Sequence, residues 1–202
     1  MENNKFKPIN RISGHLTIIK RLKDGTEEIL LDDSNMIVSG MGVGLAYMFT
    51  GSGSQSILDY QIDRFQIGVS GPPAGGVTSA ISQLSGALTS INEYGTNSNL
   101  FVDIRDQLVG GSTISTPAAL IPKHKITKIG KSSVRYTLVL DEEACNNLTR
   151  DGNAANINEI GMLMKNPTGY STPRPILVCY RTFSNIRKTS DFSLIFRWTL
   201  NF

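Results

Sequence analysis

The chain reads as a mainly β protein: an antiparallel β-sandwich of jelly-roll-like type, with one or two short helices and a long Gly/Ser-rich insertion. Three observations predict this. Large apolar residues recur at every second position in several runs, and an Asp-Gly step separates two of those runs. Strand candidates also follow one another without the strand–helix alternation of parallel sheets. A chain of 202 residues and 22.0 kDa fits a single domain, residues 1–202. At that size folding buries roughly 70% of the extended-chain surface, so the core needs no covalent staple.

Residues 1–10 read as an N-terminal arm. Residues 15–22 and 26–31 alternate on either side of Asp24-Gly25. This predicts a hairpin with a type I′ turn, in which both central residues take positive φ. A short helix follows, with Ser39 as its cap, Met41, Leu45 and Met48 at helical spacing and Gly51 as its end. Shorter strands are expected over 63–69, 100–105, 160–165 and 176–182. Residues 134–140 form a clearer one, with Val134, Tyr136, Leu138 and Leu140 on one face. The strongest pattern closes the sequence. Phe192, Leu194, Phe196, Trp198, Leu200 and Phe202 share one face, and Ser193, Ile195, Arg197, Thr199 and Asn201 the other. Each large side chain buried on such a face contributes about 1.5–3 kcal/mol.

The middle of the chain, about 70–99, is an insertion of unusual composition. Between Gln66 and Leu100 the only charged residue is Glu93, while Pro72-Pro73 and Gly75-Gly76 punctuate the stretch. Disordered segments usually carry charge and few aliphatics, and long loops in compact domains are usually functional or disordered. This one holds Val77, Ile81, Leu84, Leu88 and Ile91, the last four at spacings that make 78–91 a second, weaker helix candidate. An uncharged, moderately apolar excursion suits a protein surface better than bulk water. The expectation is a subunit interface formed by Val77, Ile81, Leu84, Leu88, Ile91 and Tyr94. A lid over the chain's own sandwich and plain disorder are the alternatives.

Several kinds of chemistry are excluded or left without support. The composition is not that of collagen, a coiled coil or a fully disordered chain. No run of about 18 apolar residues predicts a membrane helix. The first twenty residues lack the apolar region of a signal peptide. Cys145 and Cys179 are too few and too isolated for a disulfide framework or a zinc site, and read as buried, reduced thiols. A net charge of +3 neither demands nor forbids a nucleic-acid partner.

Gly40, Gly42 and Gly44 open the helix without the spacing, lysine or βαβ context of a nucleotide-binding turn, and read as close packing. Gly68-Val69-Ser70-Gly71 lacks the spacing of a nucleophile elbow. His15 and His124 have no metal-binding spacing around them. Asp32-Asp33 and Asp141-Glu142-Glu143 read as solvated loops just past strand ends. Asn147-Leu148-Thr149 matches a glycosylation sequon that stays unused without a secretory signal. Lys123, Lys125, Lys128, Lys131 and Arg135 form a basic run with no aromatic residue before Tyr136. Solvated strand faces and ion pairs between subunits suit it better than nucleic acid. No catalytic, cofactor-binding or metal-binding residue is assigned, and the balance points to a structural or interaction protein.

A set of segments resembles a pattern in virion proteins of tailed bacteriophages, those of tails, baseplates and fibre attachment. The segments are Asn158-Glu159-Ile160-Gly161-Met162-Leu163, the stretch from Leu177 through Arg181, Phe183 and Ile186 to Lys188-Thr189, and the closing run from Phe192 to Phe202. In the N-terminal half, Asn35-Met36-Ile37-Val38-Ser39-Gly40 before the helix and Phe65-Gln66-Ile67-Gly68 look similar too. Together they cover about a third of the chain, and their order and spacing carry the match. The resemblance implies a non-enzymatic β-sandwich that assembles around the virion's symmetry axis.

On that resemblance the expected partners are copies of the chain and other virion structural proteins, with no membrane, small-molecule substrate or cofactor, and nucleic acid not expected. The expected location is the virion, assembled in the host cytoplasm. Many proteins of this kind continue into a fibre shaft, whereas this sequence closes at Phe202, which favours a connector, collar or baseplate component. A capsid decoration or head-fibre protein is the alternative. One of another class is a glycan-binding sandwich using Tyr60, Tyr94 and Tyr170 in predicted loops. A polysaccharide depolymerase lacks a carboxylate pair at useful spacing. Within the motif, Glu159 is expected ahead of a strand at a sheet edge, and Lys188-Thr189 at the turn between the last two strands.

Overall fold

The computed structural model describes residues 12–37, 39–50, 61–68, 101–103, 117–121, 123–147, 149–150, 153–154, 156–164 and 176–202. The arm 1–10, Gly51, Tyr60, Tyr170, the insertion 70–99 and its interface residues Val77, Ile81, Leu84, Leu88, Ile91 and Tyr94 lie outside these residues.

In chain order the elements are β1 (Ser13–Leu22), β2 (Glu27–Ile37), α1 (Ser39–Thr50), β3 (Ile62–Gly68), β4 (Phe101–Asp103) and β5 (Pro117–Leu120). A 3-10 turn at Lys123–Lys125 then precedes β6 (Ile126–Lys128) and β7 (Ser133–Leu140). The small pair β8 (Thr149–Arg150) and β9 (Asn153–Ala154) is followed by β10 (Ile157–Met164), β11 (Ile176–Ile186) and β12 (Phe192–Asn201). The fold is mainly β and its strand pairs are antiparallel, consistent with a sandwich of two sheets.

Strand β2 belongs to both layers. Its residues Glu27 to Asn35 pair with β1, which leads on to β12, β7 and β6. Its last residues, Met36 and Ile37, pair instead with Tyr180 and Cys179 of β11, which leads on to β10, β3, β5 and β4. A strand that changes sheets forms the corner of the sandwich.

The core fills the space between the layers. In the first, Leu16, Trp198 and Tyr136 lie in one cross-strand row and Ile18, Phe196 and Leu138 in the next, all buried. The second contributes Phe65, Ile67, Ile160, Met162 and Phe183. Aromatic rings join the layers: Phe65 meets Trp198 at 6.1 Å between centroids, and Phe183 meets Phe196 at 6.3 Å. The closing alternation places Phe192, Leu194, Phe196, Trp198 and Leu200 in the core, whereas Phe202, expected on the same face, is 41% exposed beyond the strand's end, and Ser193 and Ile195 of the opposite face are buried as well.

Helix α1 caps this core with Met41 buried and Val43, Leu45 and Met48 packed against it. A Cβ on Gly44 would sit 2.3 Å from the Met164 sulfur, so at that position the glycine run serves close packing. Cys145 and Cys179 are free and buried, and burial pushes both thiols far above their ordinary pKa.

The first hairpin differs from the type I′ expectation. Gly25 N–H donates to the Leu22 carbonyl and Leu22 N–H to the Thr26 carbonyl, both at 2.9 Å, and only Gly25 has positive φ, at 89°. The Asp24 carboxylate accepts the Thr26 N–H at 2.8 Å. The loop is thus the three-residue kind, a turn followed by one left-handed glycine.

Candidate functional site

Where β2 leaves one layer for the other, β11 continues beside β10 and without β2. It pairs with β2 only at Cys179 and Tyr180, yet pairs with β10 as far as Ile186. The two strands diverge, and a groove of about 390 Å³ opens between them. One wall is Glu28, Leu30 and Leu31 of β2; the other is every residue from Arg181 to Arg187. Successive strand residues face opposite ways, so an unbroken run of lining residues means that the groove follows the strand's edge. Ile18 and Lys20 of β1 and Phe192 of β12 complete it. Among the described residues no strand pairs with β11 along this edge beyond Tyr180.

The groove joins an apolar lining to a charged rim. Phe183, Phe192 and Ile18 are buried, whereas Leu30 is 37% exposed. Lys20 lies 3.5 Å from Glu28 and 5.1 Å from the centre of the Phe192 ring. Arg181 donates from Nη1 to the Ser34 carbonyl at 2.8 Å and from Nη2 to Asp33 at 2.5 Å. Its buried Nε–H has no hydrogen-bond partner among the described residues. The Ser34 backbone N–H and then the Arg181 charge hold the Asp33 carboxyl below its ordinary pKa.

Beneath Phe192 lies a buried cation that the sequence reading treats only as a turn residue. Lys188 is 2% exposed; its Nζ donates to Asn146 Oδ1 at 3.0 Å and the Thr189 carbonyl at 2.8 Å, and sits 5.2 Å from the Phe192 ring centre. Burial lowers its pKa. The loop around it is pinned by Asp141, which accepts the N–H groups of Glu143 and Ala144 at 3.0 and 2.9 Å, and by Asn147 N–H donating to the Lys188 carbonyl at 3.0 Å. Cys145 and Asn147 take positive φ, 58° and 49°, to make that wrap. Lys188-Thr189 does connect β11 to β12, as expected. Asp141 is an exposed loop residue, and it shapes the loop as an acceptor.

Two acidic expectations need correction. Asp32 and Asp33 lie within β2, not beyond its end. Asp32 accepts from His15 Nε2 and Thr17 Oγ1 of β1, both at 2.8 Å, and these bonds, that from His15 first, depress its pKa. Glu159 lies inside β10, between β3 and β11, and not at an edge. It is fully buried and accepts the Tyr180 hydroxyl at 2.7 Å. Burial and this carboxylate raise the Tyr180 pKa. A Cβ on Gly68 would lie 2.1 Å from Glu159 Oε1, so the glycine gives the carboxylate its room.

Of the remaining expectations, His124 lies in the 3-10 turn together with Lys123 and Lys125. Lys128 is in β6 and Arg135 in β7, on the outer strands of the first layer. Among the described residues, no group of three His, Cys, Asp or Glu side chains is placed to hold a metal ion, and no helix is long and apolar enough to cross a membrane. What the groove offers chemically is recognition: backbone donors and acceptors along an edge, apolar contact below and cations at the rim. Comparison with protein-family models, curated proteins and solved structures found no match to the chain in any of the three.

Proposed function

We propose that the chain is a bacteriophage virion structural protein, an oligomeric adaptor or fibre-attachment connector of the tail, baseplate or neck, acting by shape and not by catalysis. The sequence resemblance supplies the setting. The observation that carries an adaptor role is the groove along the β11 edge. A sheet edge with unpaired backbone groups beside apolar side chains is a template for another chain, and soluble proteins that do not use such an edge normally blunt it. Here it is set on a two-layer core whose aromatic contacts cross from sheet to sheet. The uncharged composition of 70–99 adds a second surface suited to neighbours.

Size-exclusion chromatography with light scattering tests this directly. The full chain is expected to run as an oligomer, and a variant lacking residues 75–96 as a folded monomer with an unchanged circular-dichroism spectrum. A variant that fails to fold would put that stretch in the core. A full chain that stays monomeric and is absent from purified phage particles would overturn the proposal.

A further inference from the structure

We propose that the groove between β2 and β11 takes up an extended acidic segment of a neighbouring polypeptide as an added strand along β11. This deepens the adaptor reading and rests on it only for where the segment comes from.

The first argument is backbone geometry. Between Arg181 and Ile186 one edge of β11 pairs with β10 at Arg181, Thr182 and Ile186, with a bulge between the last two, and the described residues place no strand on the other edge. Peptide groups at such an edge bond to water or to another chain. An added strand lies about 4.8 Å from its neighbour and rises about 3.3 Å per residue, so this edge takes a segment of about six residues.

The second argument is what alternate residues of that strand would meet. Residues pointing inward face Ile18, Phe183 and Phe192, which call for apolar side chains. Residues at the rim face Lys20, Arg181 and Arg187 against one acid, Glu28. Lys20 is engaged by Glu28 and Arg181 by Asp33, whereas Arg187 has no ion pair among the described residues. One cation, Arg187, is left over at the rim, and no acid is. An apolar–acidic alternation is therefore the complement, with main-chain bonds supplying affinity and the side-chain sites specificity.

The test uses the full chain and short blocked peptides of alternating valine and glutamate, with valine–lysine peptides as the reverse. Binding is read by calorimetry and by hydrogen exchange of the amides from Arg181 to Ile186. The acidic peptide is expected to slow exchange at those amides. Its affinity should fall about tenfold on Arg187→Glu, and with added salt. Equal binding of both peptides, an Arg187→Glu variant that binds the acidic peptide as the parent does, or no protection by either peptide would overturn the proposal. Protection that rises with the protein's own concentration, without peptide, would make the occupant a second copy and overturn it as stated. Peptide binding by a chain that never assembles would leave this inference standing and sink the adaptor reading. Assembly without peptide binding would do the reverse.

Discussion

Arg181 marks the point at which the two layers part, and its contacts make the mouth of the groove sensitive to acid. Asp33 is held below the ordinary carboxylate range by the Ser34 N–H first and Arg181 second. A depressed folded-state pKa means that the stabilisation is complete above the unfolded value and is lost as pH falls through the folded one. We expect the Asp33 carboxyl carbon to titrate by NMR below the range of a free aspartate. Arg181 guanidinium signals should stay ordered until that lower pH, and Asp33→Asn should average them at every pH. An Asp33 that titrates normally would refute the pairing. At this scale the sequence was least legible. Asp32, Asp33 and Glu159 look like loop or edge residues because their partners, His15, Thr17, Arg181 and Tyr180, come from other strands. Nothing local announces Lys188 as a buried cation either, since the loop that covers it closes from more than forty residues away.

Strands were more legible than their ends. The alternations at 134–140 and 192–200 reappear as β7 and β12 because one face of each meets the core, although Ser193 and Ile195 on the other face of β12 are buried too. The expected second strand, 26–31, stops six residues short of the observed end at Ile37, because Asp32 to Asn35 carry no apolar alternation and are held by β1 instead. Strand β10 defeats simple alternation for another reason. Both of its faces are buried, so Glu159 and Ile160 are equally inaccessible. Its packing against β3 is tight enough to be tested by one methyl group. Gly68→Ala is expected to cost about 1–3 kcal/mol of stability, the usual range for overpacking. Urea denaturation would measure it. In a double-mutant cycle, Glu159→Ala should remove most of that cost by vacating the space, and simple additivity of the two losses would show that the carboxylate is not what the new methyl meets.

For the molecule as a whole, the class of fold follows from patterning, whereas the groove does not. It exists because one strand changes sheets, and a register change of that kind leaves no mark in a single sequence. The cohesion of the layers is a separate matter. Trp198 is fully buried against Phe65 of the opposite sheet, and its indole N–H finds no acceptor among the described residues. Trp198→Ala is expected to cost about 3–5 kcal/mol. Unfolding followed by circular dichroism and by hydrogen exchange in both sheets should remain one transition, and separate midpoints for the two layers would contradict a shared core. The doubly used strand β2 also constrains how the sandwich can move. The layers are tied at Met36 and Ile37 and are held together beyond them by Phe183 against Phe196, so the opening lies between two strand edges and not between the layers. A segment lodged in that opening would brace β2 against β11 at the very corner where the chain passes from one layer to the other.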